Sequence, residues 1–276
     1  MLRNSIVLLL TIFMYNTAAQ NNFSSGYAQT KAIEMYYEIR GQGPALVLVH
    51  GGGSTIASKR GRVIDGFAKT RKVIAVELQA HGHTKDIARA LSFEQDADDV
   101  HALLKALNIA QADFIGFSNG GNTVMQIAIR HPAQVKRIAV CSSFFKREGI
   151  YPQVWDFISN GTVDSMPQAL KDAYLTINND KNGLKAMHDR DRQRMVDFSD
   201  CPVDQLRGIQ AETLLVIGDS DIVKPEHAVE MYRLIPAARL AVLPGGHGMY
   251  LGEITMHKVE SRQPHIFVEL VNEFLN

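Results

Sequence analysis

The chain has 276 residues, 46% of them hydrophobic, and its 29 lysines and arginines balance 29 aspartates and glutamates. A chain of this size buries roughly 75% of its unfolded surface, so its core needs no metal or disulfide framework. Balanced charge, with no aromatic residues interleaved among basic runs, excludes a nucleic-acid or anionic-membrane surface and points to a small, mostly neutral partner.

The chain opens with Arg3, an apolar run over residues 6–15 and small residues in Asn16-Thr17-Ala18-Ala19-Gln20, the pattern read by a signal peptidase. The run is shorter than the ~20 residues needed to cross a bilayer. Residues 1–20 are therefore expected to be a signal peptide, and the mature protein to be exported, periplasmic or secreted, without stable membrane anchoring. Neither Cys141 nor Cys201 lies just after the apolar run, where a lipid-modified cysteine would sit. Cys141, inside an apolar strand-like run, is expected as a small core residue, although an oxidising compartment also permits one disulfide.

After a polar stretch over residues 21–29, Met35-Tyr36-Tyr37-Glu38-Ile39 predicts an early strand and Ala45-Leu46-Val47-Leu48-Val49 a continuous apolar one. An apolar run without alternation is the pattern of a strand buried on both faces. Similar runs follow at residues 72–76, 113–115, 137–140, 213–217 and 240–243. Between them, Phe93, Ala97, Val100, Leu104 and Leu107 fall on one helical face, with Ser92 and Gln95 as a capping-box start. A helix over 119–130 stops before Pro132, another opens near Pro225, and Phe267, Leu270, Val271 and Phe274 give the last its buried stripe. This alternation implies βαβ crossovers, hence an α/β fold with a mostly parallel central sheet and helices on both faces.

From about residue 146 to 210 the β-branched runs disappear, and amphipathic pieces over 166–174 and 183–198 replace them. Compact domains rarely carry structureless loops of that length. The interval is predicted to be a helical cap, 146–210, inserted between core segments 21–145 and 211–276.

Gly116-Phe117-Ser118-Asn119-Gly120 fits the G-x-S-x-G pattern, with an apolar strand before it and a helix after it. Such a turn lifts the serine hydroxyl above the sheet edge and needs nearly absent side chains around it, a demand that Gly116, Gly120 and Gly121 meet. A glycine-rich helix start could instead bind an anion. The strand-turn-helix setting favours Ser118 as a nucleophile. His50-Gly51-Gly52-Gly53 follows an earlier buried strand, and its glycines let the backbone approach a substrate oxygen. The N–H groups of Gly52 and Asn119 are the expected oxyanion hole, with Gly53 as the alternative first donor and His50 as a structural residue.

A serine hydroxyl is a weak nucleophile until a histidine takes its proton and a carboxylate holds the imidazole in the useful tautomer. Where this serine turn serves catalysis, the acid and then the histidine follow it along the chain. Of ten histidines, His247 fits, since it follows the strand signal at 240–243 and the tight-turn pair Gly245-Gly246. His227 in a predicted helix, and His257 and His265 beyond the last strand, are expected on the surface. The acid must follow the strand at 213–217, which leaves Asp219 and Asp221. Position alone does not separate them, because an aspartate in such a loop can equally brace the turn.

Together, His50-Gly51-Gly52-Gly53, Gly116-Phe117-Ser118-Asn119-Gly120-Gly121, Gly218-Asp219-Ser220-Asp221 and Gly246-His247 resemble the α/β-hydrolase superfamily. From about Gly41 onward the chain is similar to carboxylesterases of the pimeloyl-carrier-protein methyl esterase type. The resemblance implies Asp221 as the acid, a cap over the site and no cofactor. Serine at position 118 sets the chain apart from the haloalkane dehalogenase and epoxide hydrolase branches, which carry aspartate there. Glu77-Leu78-Gln79-Ala80-His81-Gly82-His83 departs from the Asp and glycine-rich turn of relatives, and His81 and His83 are expected as solvated loop residues. His81, His83 and His101 have no Cys or Glu companion at ligand spacing, so no metal site is predicted.

The expected activity is that of a serine hydrolase cleaving a carboxylic ester or related acyl bond of a small-molecule substrate. An acyltransferase or perhydrolase would use the same residues. A non-catalytic ligand-binding protein on a disabled scaffold would lack a triad member or an oxyanion glycine, and none is missing. Tyr151, Trp155, Phe157, Tyr174 and Met187 offer apolar surface either to a substrate or to the cap's own core.

Overall fold

The continuous apolar runs form the centre of an eight-stranded sheet in a computed structural model that describes residues 23–59, 63–256 and 261–276. The segment expected as a signal peptide, and His257, lie outside the described residues. The strands are β1 (Phe23–Gln29), β2 (Glu34–Arg40), β3 (Ala45–Val49), β4 (Lys72–Val76), β5 (Ala112–Phe117), β6 (Val135–Cys141), β7 (Glu212–Gly218) and β8 (Ala238–Leu243). They lie in the order β1-β2-β4-β3-β5-β6-β7-β8. The pairs β1–β2 and β2–β4 are antiparallel, and all other pairs are parallel.

The connections carry helices α1 (Ile64–Ala68), α2 (Phe93–Ala106), α3 (Asn119–Arg130), α4 (Pro152–Asn160), α5 (Gln168–Asn178), α6 (Lys181–Val196), α7 (Val203–Arg207), α8 (Pro225–Leu234) and α9 (Gln263–Phe274). Successive strand residues point to opposite faces, so each central run feeds two cores. Val47, Ile74, Phe114, Ile138 and Leu215 pack with α2, α3 and α8. Leu46, Val73, Ile115, Ala139 and Leu214 pack on the other face with Phe67 of α1 and with Phe267 and Val271 of α9. Both faces exclude water, which is why these strands read as unbroken apolar runs. Cys141 is buried in the second core, and the Cys201 thiol lies 3.4 Å from Gln205 Oε1.

Local signals set most boundaries. Ser92 Oγ accepts the Gln95 N–H at 3.1 Å at the start of α2, but the Gln95 side chain donates forward to Asp99 Oδ1 at 3.4 Å, so the reciprocal half of the capping box does not form. Proline opens α8 at its first turn. Between β6 and β7 the chain is helical, with α4 to α7 replacing the strand rhythm.

Two further expectations need correction here. The polar stretch over 21–29 contains β1, an edge strand with mostly exposed side chains. A ladder of main-chain hydrogen bonds to β2 holds it, and that leaves no apolar pattern to read. His227 is also buried rather than on the surface, with its side chain 2% exposed. Its Nε2 accepts the Phe145 N–H at 3.1 Å, and its Nδ1 lies 3.3 Å from Glu230 Oε2, an arrangement that requires the neutral ring with its proton on Nδ1.

Burial lowers the His227 pKa from 6.5 to about 4, against the opposing pull of Glu230. Above pH 6.5 neither folded nor unfolded chain holds this proton; below it the unfolded chain takes the proton first, so stability is lost as the pH falls from 6.5 toward 4. At about 1.4 kcal/mol per unit the loss is on the order of 3 kcal/mol. Urea unfolding across this range should show that fall in the wild type. His227→Gln, which keeps an acceptor for Phe145, should lack that part of it, and matching pH profiles in the two proteins would place the titration elsewhere.

Candidate active site

Ser118 sits between β5 and α3 with φ 54° and ψ −122°, a left-handed conformation that non-glycine residues adopt only under tertiary constraint. The constraint is crowding behind the turn. A Cβ on Gly116 would lie 2.1 Å from the Gly120 carbonyl oxygen, and one on Gly120 would lie 2.4 Å from that of His50. Only bare backbone fits at both positions. The Ser118 N–H donates to the Cys141 carbonyl at 2.8 Å, tying the turn to the end of β6.

The loops after β7 and β8 bring the other two expected members together. His247 Nδ1 lies 2.7 Å from Asp221 Oδ1. Asp219 takes the bracing role instead: its Oδ1 accepts the Gly245 N–H at 2.8 Å and joins the same two loops. The geometry therefore separates two aspartates that loop position left equivalent.

Two residues without a sequence signal complete this arrangement. Ser142, directly after β6 and also at positive φ, donates to Asp221 Oδ2 at 2.5 Å. Tyr250 OH lies 2.7 Å from Ser142 Oγ and donates to the Val216 carbonyl at 3.0 Å. Burial raises the Asp221 pKa, but hydrogen bonding and charge attraction from His247, with the Ser142 and Val223 donors, outweigh it and hold the carboxyl below its ordinary value. A serine at a strand end or a tyrosine in a loop is unremarkable in sequence; only the meeting of the segments after β6, β7 and β8 shows what they face.

The strand β3 leads into the loop containing Gly52 and Gly53. His50 anchors this loop, accepting the Leu78 N–H at Nε2 (3.1 Å) and donating from Nδ1 to the Gly51 carbonyl (2.8 Å). The Gly53 N–H donates to Asp191 Oδ2 at 2.6 Å. The alternative oxyanion donor, the Gly53 N–H, is thus engaged within the protein.

Ser118, His247, Gly52 and Asn119 all line one cavity of about 220 Å³. Asp221 stands behind His247. Beyond this polar end the walls are mostly apolar, with Phe144, Ile150 and Val223 from the core side and Phe157, Leu170 and Met195 from the helices between β6 and β7. Of the other aromatic and apolar residues singled out in that segment, Trp155 packs with Phe144, while Tyr174 and Met187 form a small core of their own. His81, expected in solvent, is completely buried because Asp191 and the Gln79 carbonyl supply partners for both ring nitrogens. His83 is partly exposed, paired with Glu77 at 2.9 Å and stacked on Tyr36.

Fold and site together define a class, and comparison with known proteins agrees with it. The family model for the α/β hydrolase fold matches residues 44–197, and the chain belongs to that family. It is 25% identical over 269 residues to the pyrrolizixenacetamide deacetylase of Xenorhabdus hominickii, covering 88% of this chain and 94% of that protein. It is 30% identical over 210 residues to the 2-hydroxymuconate semialdehyde hydrolase of Pseudomonas sp. (strain CF600), covering 67% of this chain and 73% of that protein. Among solved structures, the enol-lactonase from Burkholderia xenovorans LB400 superimposes with a TM-score of 0.69 at 24% identity, over 91% of this chain and 99% of that one.

Replacing Ser142 with alanine removes one donor from a buried carboxylate. A hydrogen bond to a charged group contributes about 1.5–3 kcal/mol, so Ser142→Ala should lose that much stability near neutral pH. The Asp221 carboxyl should titrate higher than in the wild type when followed by carbon NMR. An unchanged titration would mean that Ser142 gives its proton to Tyr250 instead.

Proposed function

We propose that this chain is a serine hydrolase that opens a carboxylic ester or related acyl bond in a small molecule through an acyl-enzyme on Ser118. One observation carries the reading: a single cavity is lined by the serine of a strained strand-helix turn and by an imidazole whose Nδ1 is engaged by a buried carboxylate. With Nδ1–H directed at Asp221, Nε2 keeps its lone pair for the Ser118 proton.

Attack by Ser118 Oγ on the acyl carbon moves negative charge onto the carbonyl oxygen, for which the amides of Gly52 and Asn119, both lining the cavity, are the donors in this reading. Each such donor is worth on the order of 10²–10³ in rate. Collapse expels the leaving group, which takes its proton from His247. Water then repeats the sequence against the acyl-enzyme, with His247 again acting as base and then as acid, and Ser118 is restored. Asp221 remains ionised throughout and stabilises the imidazolium formed in each step. The apolar walls support a substrate with a small to medium apolar acyl or alcohol part.

The test is turnover of p-nitrophenyl esters of graded chain length, a lactone and an acetamide, by wild type and Ser118→Ala, together with labelling by a fluorophosphonate. Loss of a triad nucleophile costs roughly 10⁶ in turnover. Turnover and labelling should both disappear in the variant, with medium chain lengths preferred by the wild type. Folded wild-type protein that neither labels nor hydrolyses any of these, or a variant that keeps its turnover, would overturn the reading.

A further inference from the structure

Asp191, on α6, lines the cavity beside Gly52 and Gly53 with its carboxylate ringed by donors. Oδ2 accepts the Gly53 N–H at 2.6 Å and meets His81 Nε2 at 2.8 Å, while Oδ1 accepts from the Arg194 guanidinium. Arg194 also donates to Asp96 Oδ2 at 2.6 Å. One buried network thus joins α2, α6, the loop after β3 and the loop after β4.

The protonation state of His81 follows from its partners. Nδ1 lies 2.8 Å from the Gln79 carbonyl oxygen and Nε2 faces the Asp191 carboxylate, so both ring nitrogens point at acceptors. A neutral imidazole carries one N–H; satisfying both contacts requires the imidazolium. Neighbouring His50, its ring 4.6 Å away, donates through Nδ1 and accepts through Nε2 and is therefore neutral. The other charges around His81 are Asp191 and Arg194 from α6 and Asp96 from α2. Burial works against the imidazolium, yet attraction and hydrogen bonding from Asp191 raise the His81 pKa above its ordinary value. Burial also opposes the Asp191 carboxylate, and His81, Arg194 and the Gly53 amide more than reverse that effect.

We propose that the His81–Asp191 ion pair positions the oxyanion loop: while His81 is charged, Asp191 holds the Gly53 amide aside, leaves Gly52 to face the substrate oxygen and ties α6 to the site. The kinetic part of this proposal rests on the serine-hydrolase reading, whereas the ionic part stands on the geometry alone. When His81 releases a proton, its ring keeps one N–H for two acceptors and the charge attraction that holds the Asp191 carboxylate is lost. The remaining cation, Arg194, then draws Asp191 toward itself and away from the Gly53 amide, and the loop loses its alignment. Both are positioning residues, with effects expressed in kcat more than in KM.

Nitrogen NMR of the wild-type imidazoles tests the ionic part without any substrate. His81 should carry protons on both nitrogens at neutral pH, and the Gly53 amide shift should follow its titration at higher pH. In kinetics, His81→Leu should lower kcat by roughly the 10²–10³-fold assigned to one oxyanion donor, with KM nearly unchanged. The wild-type kcat should fall at alkaline pH as His81 loses its charge, and His81→Gln, which restores a donor to Asp191 but cannot titrate, should recover part of the rate and lack that fall. A neutral His81 at neutral pH, a Gly53 amide that ignores its titration, or an alkaline fall that persists in His81→Gln would each overturn the proposal. If the wild type neither labels with fluorophosphonate nor turns over, the hydrolase reading fails on its own, and the NMR measurements still decide whether the ion pair holds the loop.

Discussion

The candidate site depends on how closely the start of α3 passes the end of β3. At Gly120 the chain runs so near the Val49 and His50 carbonyl oxygens that a methyl group would lie 2.5 and 2.4 Å from them. That approach leaves the intervening turn no relaxed conformation, and Ser118 is held at positive φ with its side chain at the cavity. It also sets the loop containing Gly52 beside the first amide of α3, the juxtaposition that an oxyanion hole requires. The strain is sustained because strands buried on both faces cannot yield: moving β3 or β5 would open two cores at once.

Charge is handled at the same edge by pairing within the protein. Asp221 receives donors from three separate segments, and Asp191 receives donors from its own helix and two core loops. A buried carboxylate is costly unless its lone pairs are met, so each network fixes the relative placement of the elements that supply it. Asp96 shows the cost directly: burial raises its pKa to about 6 even with Arg194 beside it. Such networks contribute specificity of arrangement more surely than stability, consistent with the contribution to loop position assigned to Asp191.

The helical segment between β6 and β7 divides its apolar side chains between two tasks. Trp155, Tyr174 and Met187 hold the segment together, while Phe157, Leu170 and Met195 face the cavity. Both groups share the same residue types and helical spacing, so composition could not assign them. The same limit applied to histidine. His81 and His227 sit in polar stretches that suggest solvent, yet each is buried, because a carboxylate reaches the first from 110 residues away and a backbone N–H reaches the second from 82.

What the sequence determined by itself was whatever a local pattern can express: the doubly buried strands, the glycines forced around Ser118, the proline-started α8 and the chain order of serine, aspartates and histidine. Those features follow from short-range sterics and from hydrophobic periodicity, which act within a few residues. Tertiary structure alone decided that β1 is a strand, that Asp221 meets His247 while Asp219 braces the turn, that Ser142 and Tyr250 support the acid, and that His81 and Asp191 reach the loop at Gly53. β1 rests on main-chain bonds to the adjacent β2, which any side chain permits; each of the others depends on a hydrogen bond or ion pair between segments distant in the chain, and such a bond leaves no periodic trace because neither partner requires the other as a neighbour in sequence.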